Sequence, residues 1–384
     1  MKIGINAQFL QFPTNGSGQY MLHLLDAFRQ IDQQNDYVLL GSRPVPLATT
    51  LPFPYYVSSL PGLMSRNENV EKVVWEQFTA PAAARKAEVD LYHVPYFAPP
   101  LLPRTPTVAT IHDAIPLRLE AYRPNRKIKT YMSLVAQAAH RIDRIITVSE
   151  HAKKDLVESL SINPERIRVI YEAAGDEYTP VTDAEQLAAA RARYGLGERY
   201  IFYLGGLDQR KNVPQLVRAF AHLHAQIGDP QLQLLISGNP DKQQGLLFPD
   251  PRPVAADLGM SGQIMYRFVE DADKPAIYSG ASLFVFPSLY EGFGLTPLEA
   301  MSCGAPVVCS NRTSLPEVVG DAALMVDPEN TRALSEAMAR VLTDPLLAAD
   351  LKERSLARAR QFSWRKAAQE TLAVYEEVLA KRKP

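Results

Sequence analysis

The sequence predicts an α/β protein with two Rossmann-like domains, each built on a parallel sheet. Short apolar segments rich in β-branched residues alternate with amphipathic helical segments along the chain, a pattern typical of parallel sheets covered by helices. A chain of 384 residues is long enough for two domains of ordinary size. The alternation also restarts after an acidic, alanine-rich stretch at 173–198. We therefore expect an N-terminal domain over 1–178 and a C-terminal domain over 179–365.

In the first half, apolar runs predict strands, and segments with a helical apolar period predict helices. The strands are expected at 2–6, 37–40, 89–93, 108–112, 144–148 and 167–171, and the helices at 16–30, 70–85 and 127–141. Pro81 should interrupt the second of these helices, because proline lacks the backbone donor. Ser149 is expected to cap the helix that follows the fifth strand.

The second half repeats this rhythm. Strands are expected at 200–204, 231–237, 264–269, 282–287 and 305–309, and helices at 212–226, 274–280 and, at the C-terminus, 366–384. Another helix should start near 296, with Thr296 as its N-cap and Pro297 at its first position. An alternative for this stretch is a capping box, in which Glu299 bonds only to its own helix N-terminus.

Composition excludes several classes of protein. The apolar fraction of 46% and the net charge of −1 are ordinary for a globular protein and argue against a nucleic-acid binder. Two cysteines, Cys303 and Cys309, are too few for a disulfide framework or a zinc site and are expected to be buried thiols. The N-terminus begins directly as a strand without a signal-peptide core, so a cytoplasmic protein is expected.

One segment is locally basic. Residues 104–144 hold eight Lys or Arg against three Asp or Glu. A solvated helix face explains this composition. The alternative is contact with anionic lipid headgroups, at the inner face of a membrane, or with a phosphorylated acceptor.

The stretch 288–304 is the most informative of the chain. Glu291 and Glu299 lie eight residues apart, separated by the turn from Gly292 to Gly294 and the start of a helix. The free N–H groups of a helix start, with the positive end of its dipole, form a site for anions. The carboxylates on both sides of this anion site would bind hydroxyl-rich groups. A nucleotide-sugar has a diphosphate centre with such groups on both sides, so the stretch indicates a site for a nucleotide-sugar.

This stretch, with the apolar strands before and after it, resembles the E-x7-E element of retaining glycosyltransferases of family 4, which have the GT-B fold. The resemblance implies two domains facing across a cleft and a C-terminal helix that crosses back onto the N-terminal domain. It implies that Glu291 lies by the donor sugar and Glu299 binds the nucleotide ribose. Donor contacts are then expected along the turn and helix start, at Gly292, Phe293, Gly294, Leu295 and Thr296.

Arg210 and Lys211 follow a predicted strand and precede a helix, where ligands of parallel sheets bind. An ordinary basic turn would have the same composition. The pair resembles the family's phosphate-binding Arg and Lys, which serve instead of a metal, so no metal cofactor is expected. Gly206, in the same loop, joins the expected donor site.

Two elements of the first half resemble family positions that border the donor and the acceptor. Gly16 and Gly18 form a glycine loop before a helix, which allows close approach of a phosphate or sugar. His112 resembles the family's cleft histidine, and Asp113 would orient an imidazole or bind an acceptor hydroxyl. The alternative is a structural histidine capped by its neighbour.

Two further motifs have structural interpretations. Asp271 and Asp273 spell the D-x-D of metal-dependent transferases, but they precede a helix and are interpreted as a cap and turn. Trp75 resembles a position in bacterial polysaccharide-building members and is interpreted as a core anchor rather than a sugar platform.

The resemblance implies a retaining, metal-independent hexosyltransferase acting on a glycan or lipid-linked saccharide. The pattern is most similar to bacterial mannosyl- or rhamnosyltransferases of O-antigen type, which slightly favours a GDP-linked donor over a UDP-linked one. The residues leave three alternatives open: a nucleotide-sugar epimerase on the same fold, a noncatalytic carbohydrate-binding protein, and a glycosidase with two carboxylates.

Overall fold

The computed structural model describes residues 1–58, 68–241 and 245–382. These residues fall into two compact units. Unit 1 runs from Met1 to Glu172 and also includes the C-terminal segment from Trp364, and unit 2 spans Ala173–Ser363. The last two residues of the helix predicted at 366–384 lie outside the described residues.

All the described strands belong to two parallel sheets, one in each unit. The strands are β1 (Lys2–Asn6), β2 (Asp36–Gly41), β3 (Tyr55–Val57), β4 (Leu91–Val94), β5 (Thr107–Thr110), β6 (Arg144–Thr147), β7 (Ile167–Val169), β8 (Tyr200–Leu204), β9 (Gln233–Ser237), β10 (Ile264–Arg267), β11 (Leu283–Phe286), β12 (Val307–Ser310) and β13 (Ala323–Val326).

The α-helices that accompany them were mostly expected from the helical apolar period. They are α1 (Gly16–Ile31), α2 (Glu68–Val74), α3 (Ala80–Lys86), α4 (Ile115–Arg118), α5 (Arg126–Ala139), α6 (Glu150–Leu160), α7 (Ala184–Tyr194), α8 (Val213–Ile227), α9 (Arg252–Asp257), α10 (Lys274–Gly280), α11 (Leu295–Ser302), α12 (Leu315–Val319), α13 (Thr331–Thr343), α14 (Pro345–Ala359) and α15 (Trp364–Ala380).

The strand order places a reversal at the centre of each sheet. Unit 1 has the order β3-β2-β1-β4-β5-β6-β7, and unit 2 has β10-β9-β8-β11-β12-β13. Neighbours such as β8 and β11 pair in parallel, with Phe284 opposite Phe202. The chain turns to opposite sides of the sheet after the two central strands, and this opens a crevice at their carboxyl ends, where ligands of such sheets bind.

Each unit has its own apolar core. Trp75 and Tyr92 are buried in the core of unit 1, so the prediction that Trp75 is a core anchor is confirmed. Phe202 and Phe284 lie in the core of unit 2. Cys303 and Cys309 are buried free thiols, as expected, and burial raises the pKa of each to about 12.

The prediction that Pro81 interrupts the helix is wrong. Helices α2 and α3 are joined by a π-helical segment, Trp75–Thr79, and the chain stays helical through Pro81. Proline has no N–H and its ring would clash with the carbonyl four residues earlier. The wider π turn, which carries one extra residue, ends just before it and absorbs the mismatch.

The C-terminal helix α15 packs on α1 within unit 1. The Tyr375 hydroxyl bonds to Nδ1 of His93 at 2.7 Å, and its ring lies 6.1 Å from that of Phe28. His93 is itself completely buried, and its Nε2 bonds to Thr110. Among the helices within 1–58, 68–241 and 245–382, none combines the length and apolar character needed to cross a membrane.

Candidate active site

The largest group of predicted site residues lies in unit 2, on loops that follow the paired central strands β8 and β11. The loop after β8 contains Arg210 and Lys211, and the loop after β11 contains Glu291. Backbone bonds join the two loops, because Leu289 N–H donates to the Arg210 carbonyl at 2.7 Å. The structure therefore brings together residues that lie about eighty positions apart in the sequence.

Glu291 forms ion pairs with both cations. Arg210 Nη1 donates to Oε2 of Glu291 at 2.7 Å, and Lys211 Nζ donates to Oε1 at 2.6 Å. Lys211 is also 4.7 Å from the centre of the Phe286 ring, a cation–π distance. A second carboxyl group, that of Asp208, lies 3.1 Å from Arg210 Nε. The expected cationic pair is thus balanced by two acidic side chains.

Burial and charge act in opposite directions on Glu291. Burial by itself raises the pKa of this carboxyl, but Arg210, Lys211 and the hydrogen bonds from Lys211 and Ser288 outweigh it and lower the pKa to about 2. Burial and the neighbouring Arg210 lower the pKa of Lys211, while Glu291 acts to raise it. The carboxylate is therefore ionised throughout the neutral range and holds both cations in place.

Three hydroxyl residues that the sequence did not single out support Glu291. Ser288 Oγ donates to Glu291 Oε1 at 2.6 Å, and Glu291 N–H donates to the Thr313 hydroxyl at 3.0 Å. Ser314 Oγ donates to the carbonyls of Glu291 and Phe293. Ser288 was detectable because it precedes Glu291 in the same loop. Thr313 and Ser314 follow β12, so only the folded sheet brings them near.

The start of α11 differs from the prediction. The helix begins at Leu295 with Gly294 as N-cap, so the assignment of Thr296 as N-cap and Pro297 as first residue is wrong. Gly294 has φ of +127°, a conformation that favours glycine, and an added Cβ would lie 2.8 Å from Leu315. This backbone lets the chain turn sharply from buried Phe293 into the helix, with Leu295 and Thr296 in the first turn.

Glu299 does not form the capping box. Its Oε2 accepts a hydrogen bond from the Tyr278 hydroxyl on α10 at 2.9 Å. Burial raises the pKa of Glu299 to about 7, and Glu177 adds to this, whereas Lys274 and the bonds from Tyr278 and Tyr178 oppose it. The carboxyl group is therefore only partly ionised at neutral pH, in contrast to Glu291.

Gly206 lies in the same loop as the two cations. Its carbonyl accepts a hydrogen bond from the Tyr203 hydroxyl at 2.7 Å, and an added Cβ would approach the Asp208 carboxyl to 2.9 Å. Gly292 follows Glu291 and is buried. The two glycines keep side chains out of the loops that surround Arg210.

The predicted residues of unit 1 form a separate group. His112 follows the end of β5, 3.5 Å from the Glu172 carboxyl and edge-on to the Tyr20 ring at 4.7 Å. Burial lowers the pKa of His112 to about 4 and, with help from Asp113, raises that of Glu172 to about 8. Glu172 was not predicted as a site residue. It follows β7, and nothing in its sequence neighbourhood indicates the contact.

Asp113 and Gly18 have local structural contacts, whereas Gly16 is exposed. Asp113 accepts the N–H of Ile115 at 2.9 Å and so helps to start α4. Gly16 is the exposed first residue of α1, with open space where a Cβ would be. Gly18 is closely packed, because an added Cβ would lie 2.2 Å from the Phe12 carbonyl oxygen. Their expected roles toward donor and acceptor stay predictions.

The D-x-D sequence adopts the structure expected of a turn before a helix. Asp271 pairs with Lys274 at 2.6 Å, and Asp273 accepts hydrogen bonds from Arg193 and from Tyr194, the latter at 2.6 Å. Across the described parts of the chain, no group of three or more His, Cys, Asp or Glu is arranged to hold a metal ion.

The fold and the site define a glycosyltransferase of the GT-B class, and two family models match the chain. "Glycosyl transferases group 1" matches residues 189–358, and "Glycosyltransferase Family 4" matches residues 14–174. Together they cover most of both units. The protein belongs to glycosyltransferase family 4, and the predicted family and enzyme class are confirmed.

Similar curated proteins include two from Escherichia coli. The O-antigen chain mannosyltransferase B is 34% identical over 74% of this chain and 74% of its own length. The serotype-specific mannosyltransferase WbdA is 34% identical over 67% of this chain, which spans about a third (32%) of that longer protein.

Solved structures show the same fold at low identity. The sucrose-phosphate synthase of Thermosynechococcus elongatus aligns over 99% of this chain and 100% of its own, with a TM-score of 0.76 at 21% identity. Anabaena HepE in complex with UDP-glucose aligns over 98% and 100%, with a TM-score of 0.77 at 19% identity. The predicted GT-B fold is therefore confirmed.

Proposed function

We infer that this glycosyltransferase moves a hexose from a nucleoside-diphosphate sugar to a hydroxyl of a glycan or lipid-linked saccharide. It does so with retention of configuration and without a metal ion. The observation that carries the proposal is the group of Arg210, Lys211 and Glu291 at the carboxyl ends of the central strands β8 and β11. Mannosyl transfer is favoured, because relatives that are about a third identical carry that activity in their names.

The chemistry of the step explains why cations belong at this place. When the bond between the sugar and the diphosphate breaks, negative charge grows on the departing phosphate oxygen. Arg210 offers a planar set of donors and Lys211 a compact charge, and both are held by Glu291 before any ligand arrives. Such prearranged charges stabilise the transition state more than they stabilise the ground state. They perform the task that a metal ion has in other transferases.

The other predicted residues complete the donor site in this proposal. Backbone N–H groups at the start of α11 contact the phosphates, as helix N-termini commonly do. Glu299 accepts hydrogen bonds from the hydroxyls of the nucleotide ribose. The proposed roles of His112 on the donor sugar and of Asp113 on the acceptor stay predictions.

The contacts of Glu291 argue against its acting as a nucleophile. Its Oε1 accepts hydrogen bonds from Lys211 and Ser288, and its Oε2 accepts one from Arg210. A carboxylate with a pKa of about 2 and both oxygens occupied is a weak nucleophile. We therefore favour attack by the acceptor hydroxyl on the face from which the diphosphate leaves, with the departing phosphate oxygen taking the proton.

The test begins with donor binding. Purified protein is heated with GDP-mannose, UDP-glucose, GDP, UDP or free mannose, because a ligand of the native state raises the melting temperature. GDP-mannose should raise it, with or without EDTA, and free mannose should not. If UDP-glucose raises the melting temperature and GDP-mannose does not, the donor carries uracil instead of guanine. If no nucleotide raises the melting temperature, the proposed donor site is contradicted.

The second part follows the product. With an oligomannoside acceptor and EDTA present, NMR of the product should show the α anomeric configuration of the donor. A β product would contradict retention, and activity that appears only with a divalent cation would contradict metal independence. If the protein converts GDP-mannose into an epimer when no acceptor is present, the epimerase alternative is favoured.

A further inference from the structure

Glu172 of unit 1 is a buried carboxyl group that the proposed mechanism does not use. It follows β7, and its side chain is only 8% exposed. Its Oε1 lies 3.5 Å from Nε2 of His112, which follows β5. This separation is too long for a hydrogen bond, which needs at most about 3.2 Å between nitrogen and oxygen. The two groups therefore face each other without bonding directly.

Neither group finds a hydrogen-bond partner within the parts of the chain that the structure describes. Nε2 of His112 is buried and makes no hydrogen bond there. The influences on the Glu172 carboxyl are burial and the charge of Asp113, and no hydrogen bond is among them. Buried polar groups are nearly always hydrogen-bonded, because leaving them unpaired is costly. Two such groups side by side indicate a polar ligand that the chain itself does not supply.

The pair is largely uncharged at neutral pH. Burial lowers the pKa of His112 to about 4, and burial together with Asp113 raises the pKa of Glu172 to about 8. An ion pair would act in the opposite sense on each group, raising the pKa of the imidazole and lowering that of the carboxyl. Phosphates bind best to cations, and metal ions bind to ionised carboxylates. A neutral acid beside a neutral imidazole therefore suits an uncharged polar ligand.

A single hydroxyl group satisfies both partners. Its oxygen can lie about 2.8 Å from each of two groups that are themselves 3.5 Å apart. A hydroxyl both donates and accepts, as a protonated carboxyl does. It can therefore donate to one partner and accept from the other, whichever nitrogen of His112 carries the proton.

The pair is held rigidly and is still reached from the surface. The His112 ring packs edge-on against Tyr20 at 4.7 Å. The Tyr20 hydroxyl forms a hydrogen bond with Thr110 at 3.1 Å, and Thr110 bonds to the buried His93 at 2.9 Å. These contacts fix the ring, while the His112 side chain remains 19% exposed. A fixed geometry with an open side allows a ligand hydroxyl to enter and to be recognised.

We propose that Glu172 is a specificity-determining residue, which binds one hydroxyl group of a saccharide substrate together with Nε2 of His112. The inference rests on the proposed function, in which His112 lies by the donor sugar, so the transferred hexose is the expected source of the hydroxyl. A hydroxyl of the acceptor has the same chemistry and is the other source. A site that bonds a substrate hydroxyl rejects an analogue without it, because its own polar groups are then left unpaired.

The experiment measures kcat/KM for transfer from GDP-mannose and from its 2-, 3-, 4- and 6-deoxy analogues to an oligomannoside. With the unaltered protein, one analogue should be used roughly 10- to 100-fold less efficiently than GDP-mannose, because a buried group loses its partner. In E172M that penalty should shrink to about 3-fold or less, and the other penalties should not change. The comparison uses ratios, so the intrinsic reactivity of each analogue cancels.

Two further variants separate binding from a structural role. E172Q keeps a neutral hydrogen-bonding group of the same shape, so it should keep the penalty and should transfer mannose within about 5-fold of the unaltered rate. The matched control is E76M, because Glu76 is another buried carboxyl of unit 1 whose pKa is raised by burial. E76M should leave every ratio between analogues unchanged.

Stability gives a readout that does not depend on transfer. E172M removes a buried carboxyl that has no hydrogen bond, so at neutral pH it should unfold at or above the temperature of the unaltered protein. E76M removes the partner of Tyr131, whose hydroxyl donates to Glu76 at 2.7 Å, so it should unfold at a lower temperature. If E172M instead unfolds at a lower temperature and loses equal activity toward all analogues, Glu172 is structural and the inference is overturned.

The remaining outcomes distinguish this inference from the proposed function. If E172M loses the penalty for a deoxy oligomannoside instead of that for a deoxy donor, the bound hydroxyl belongs to the acceptor. If E172M keeps all penalties and transfers mannose normally, the inference alone is overturned, and the pair holds only water. If the unaltered protein transfers sugar from no sugar nucleotide, the proposed function is overturned and this inference with it.

Discussion

Lys211 and Glu291 show how a single contact sets the chemistry of a site. The Lys211 side chain is almost completely buried, and its ammonium group meets one carboxylate oxygen and one aromatic face. Burying a cation is costly unless a partner of opposite charge compensates. Glu291 therefore keeps Lys211 charged in a place where a lysine alone would tend to lose its proton.

The first prediction concerns the change K211M, which keeps most of the side-chain volume. Turnover should fall by about 10²–10³-fold, the usual effect of removing one prearranged donor from a transition state. Stability should also fall, by about 2 kcal/mol, because a hydrogen bond to a charged group is lost. Both are measured, by steady-state kinetics with GDP-mannose and by chemical denaturation.

The double variant K211M/E291Q separates the two effects. It should recover stability, since no uncompensated charge remains, but it should not recover turnover. The exposed change K352M is the matched control and should alter neither. Near-normal turnover in K211M would contradict the role of Lys211 on the diphosphate.

The second prediction concerns Glu299 and pH. Because the pKa of Glu299 rises from 4.5 to about 7 on folding, the folded protein binds this proton more tightly than the unfolded chain does. The resulting stability is fully present below pH 4.5 and is lost as the pH rises through 7. In E299Q this dependence should be absent.

The measurement compares unfolding of the two proteins across the neutral range. Relative to E299Q, the unaltered protein should lose on the order of 2 kcal/mol between about pH 5 and about pH 8. Other buried carboxyls, such as Glu172, titrate in both proteins and cancel in the difference. A pH-independent difference between the two would show that Glu299 is not raised in pKa.

At the scale of elements, the loop from β11 into α11 depends on one glycine. Gly294 allows a backbone turn that other residues adopt only with strain, and it leaves room for Leu315 of α12. The helix thereby starts two residues earlier than predicted, at Leu295 instead of Pro297. The N–H groups proposed to contact phosphates are those that this turn exposes.

The third prediction tests that turn. G294A should destabilise the protein by about 1–3 kcal/mol through backbone strain, with an additional cost from the clash with Leu315. It should also lower affinity for GDP-mannose. The control G262A should leave that affinity unchanged, because its added Cβ meets nothing. Calorimetry and denaturation measure the two quantities.

A double variant distinguishes strain from clash. The reference for the double variant is L315A alone, because truncating the buried Leu315 itself costs stability. In the L315A background the clash is gone but the strained backbone stays, so G294A should cost less than it does alone, though not zero. No cost in that background would show that the φ of +127° at Gly294 is not what matters.

At the scale of the molecule, two separate cores support the described residues. The core of unit 1 is completed by a helix from the far end of the chain, through Tyr375 and its contacts with His93 and Phe28. Arg144 of β6 and Glu377 of the same helix form an ion pair. Residues at the C-terminus therefore stabilise the unit that contains the N-terminus.

The fourth prediction follows from this division. Y375A should lower the unfolding temperature of unit 1, since truncating a buried large aromatic side chain costs about 3–5 kcal/mol. Binding of GDP at low temperature should change little, because the proposed nucleotide contacts lie in unit 2. F220A, in the core of unit 2, should show the opposite pattern in calorimetry and binding. Equal loss of GDP affinity in both variants would contradict the division.

The sequence determined the α/β class, most strands and helices, and the chemical types at the site. Apolar periodicity reports burial within a few residues, which is why strands such as β1 and β8 were predicted with their observed bounds. Arg210, Lys211 and Glu291 were found because cations and acids beside a strand end are visible locally and match a family pattern.

Only the tertiary structure decided which of these groups meet. Thr313 and Ser314 reach Glu291 because the adjacent parallel strands β11 and β12 bring their carboxyl ends together. Glu172 reaches His112 at the same edge of the other sheet, although β6 lies between β5 and β7. The pKa of Glu299 likewise follows from burial beside Tyr278, on a different helix. Burial and long-range contacts are properties of packing, and local sequence carries no direct record of them.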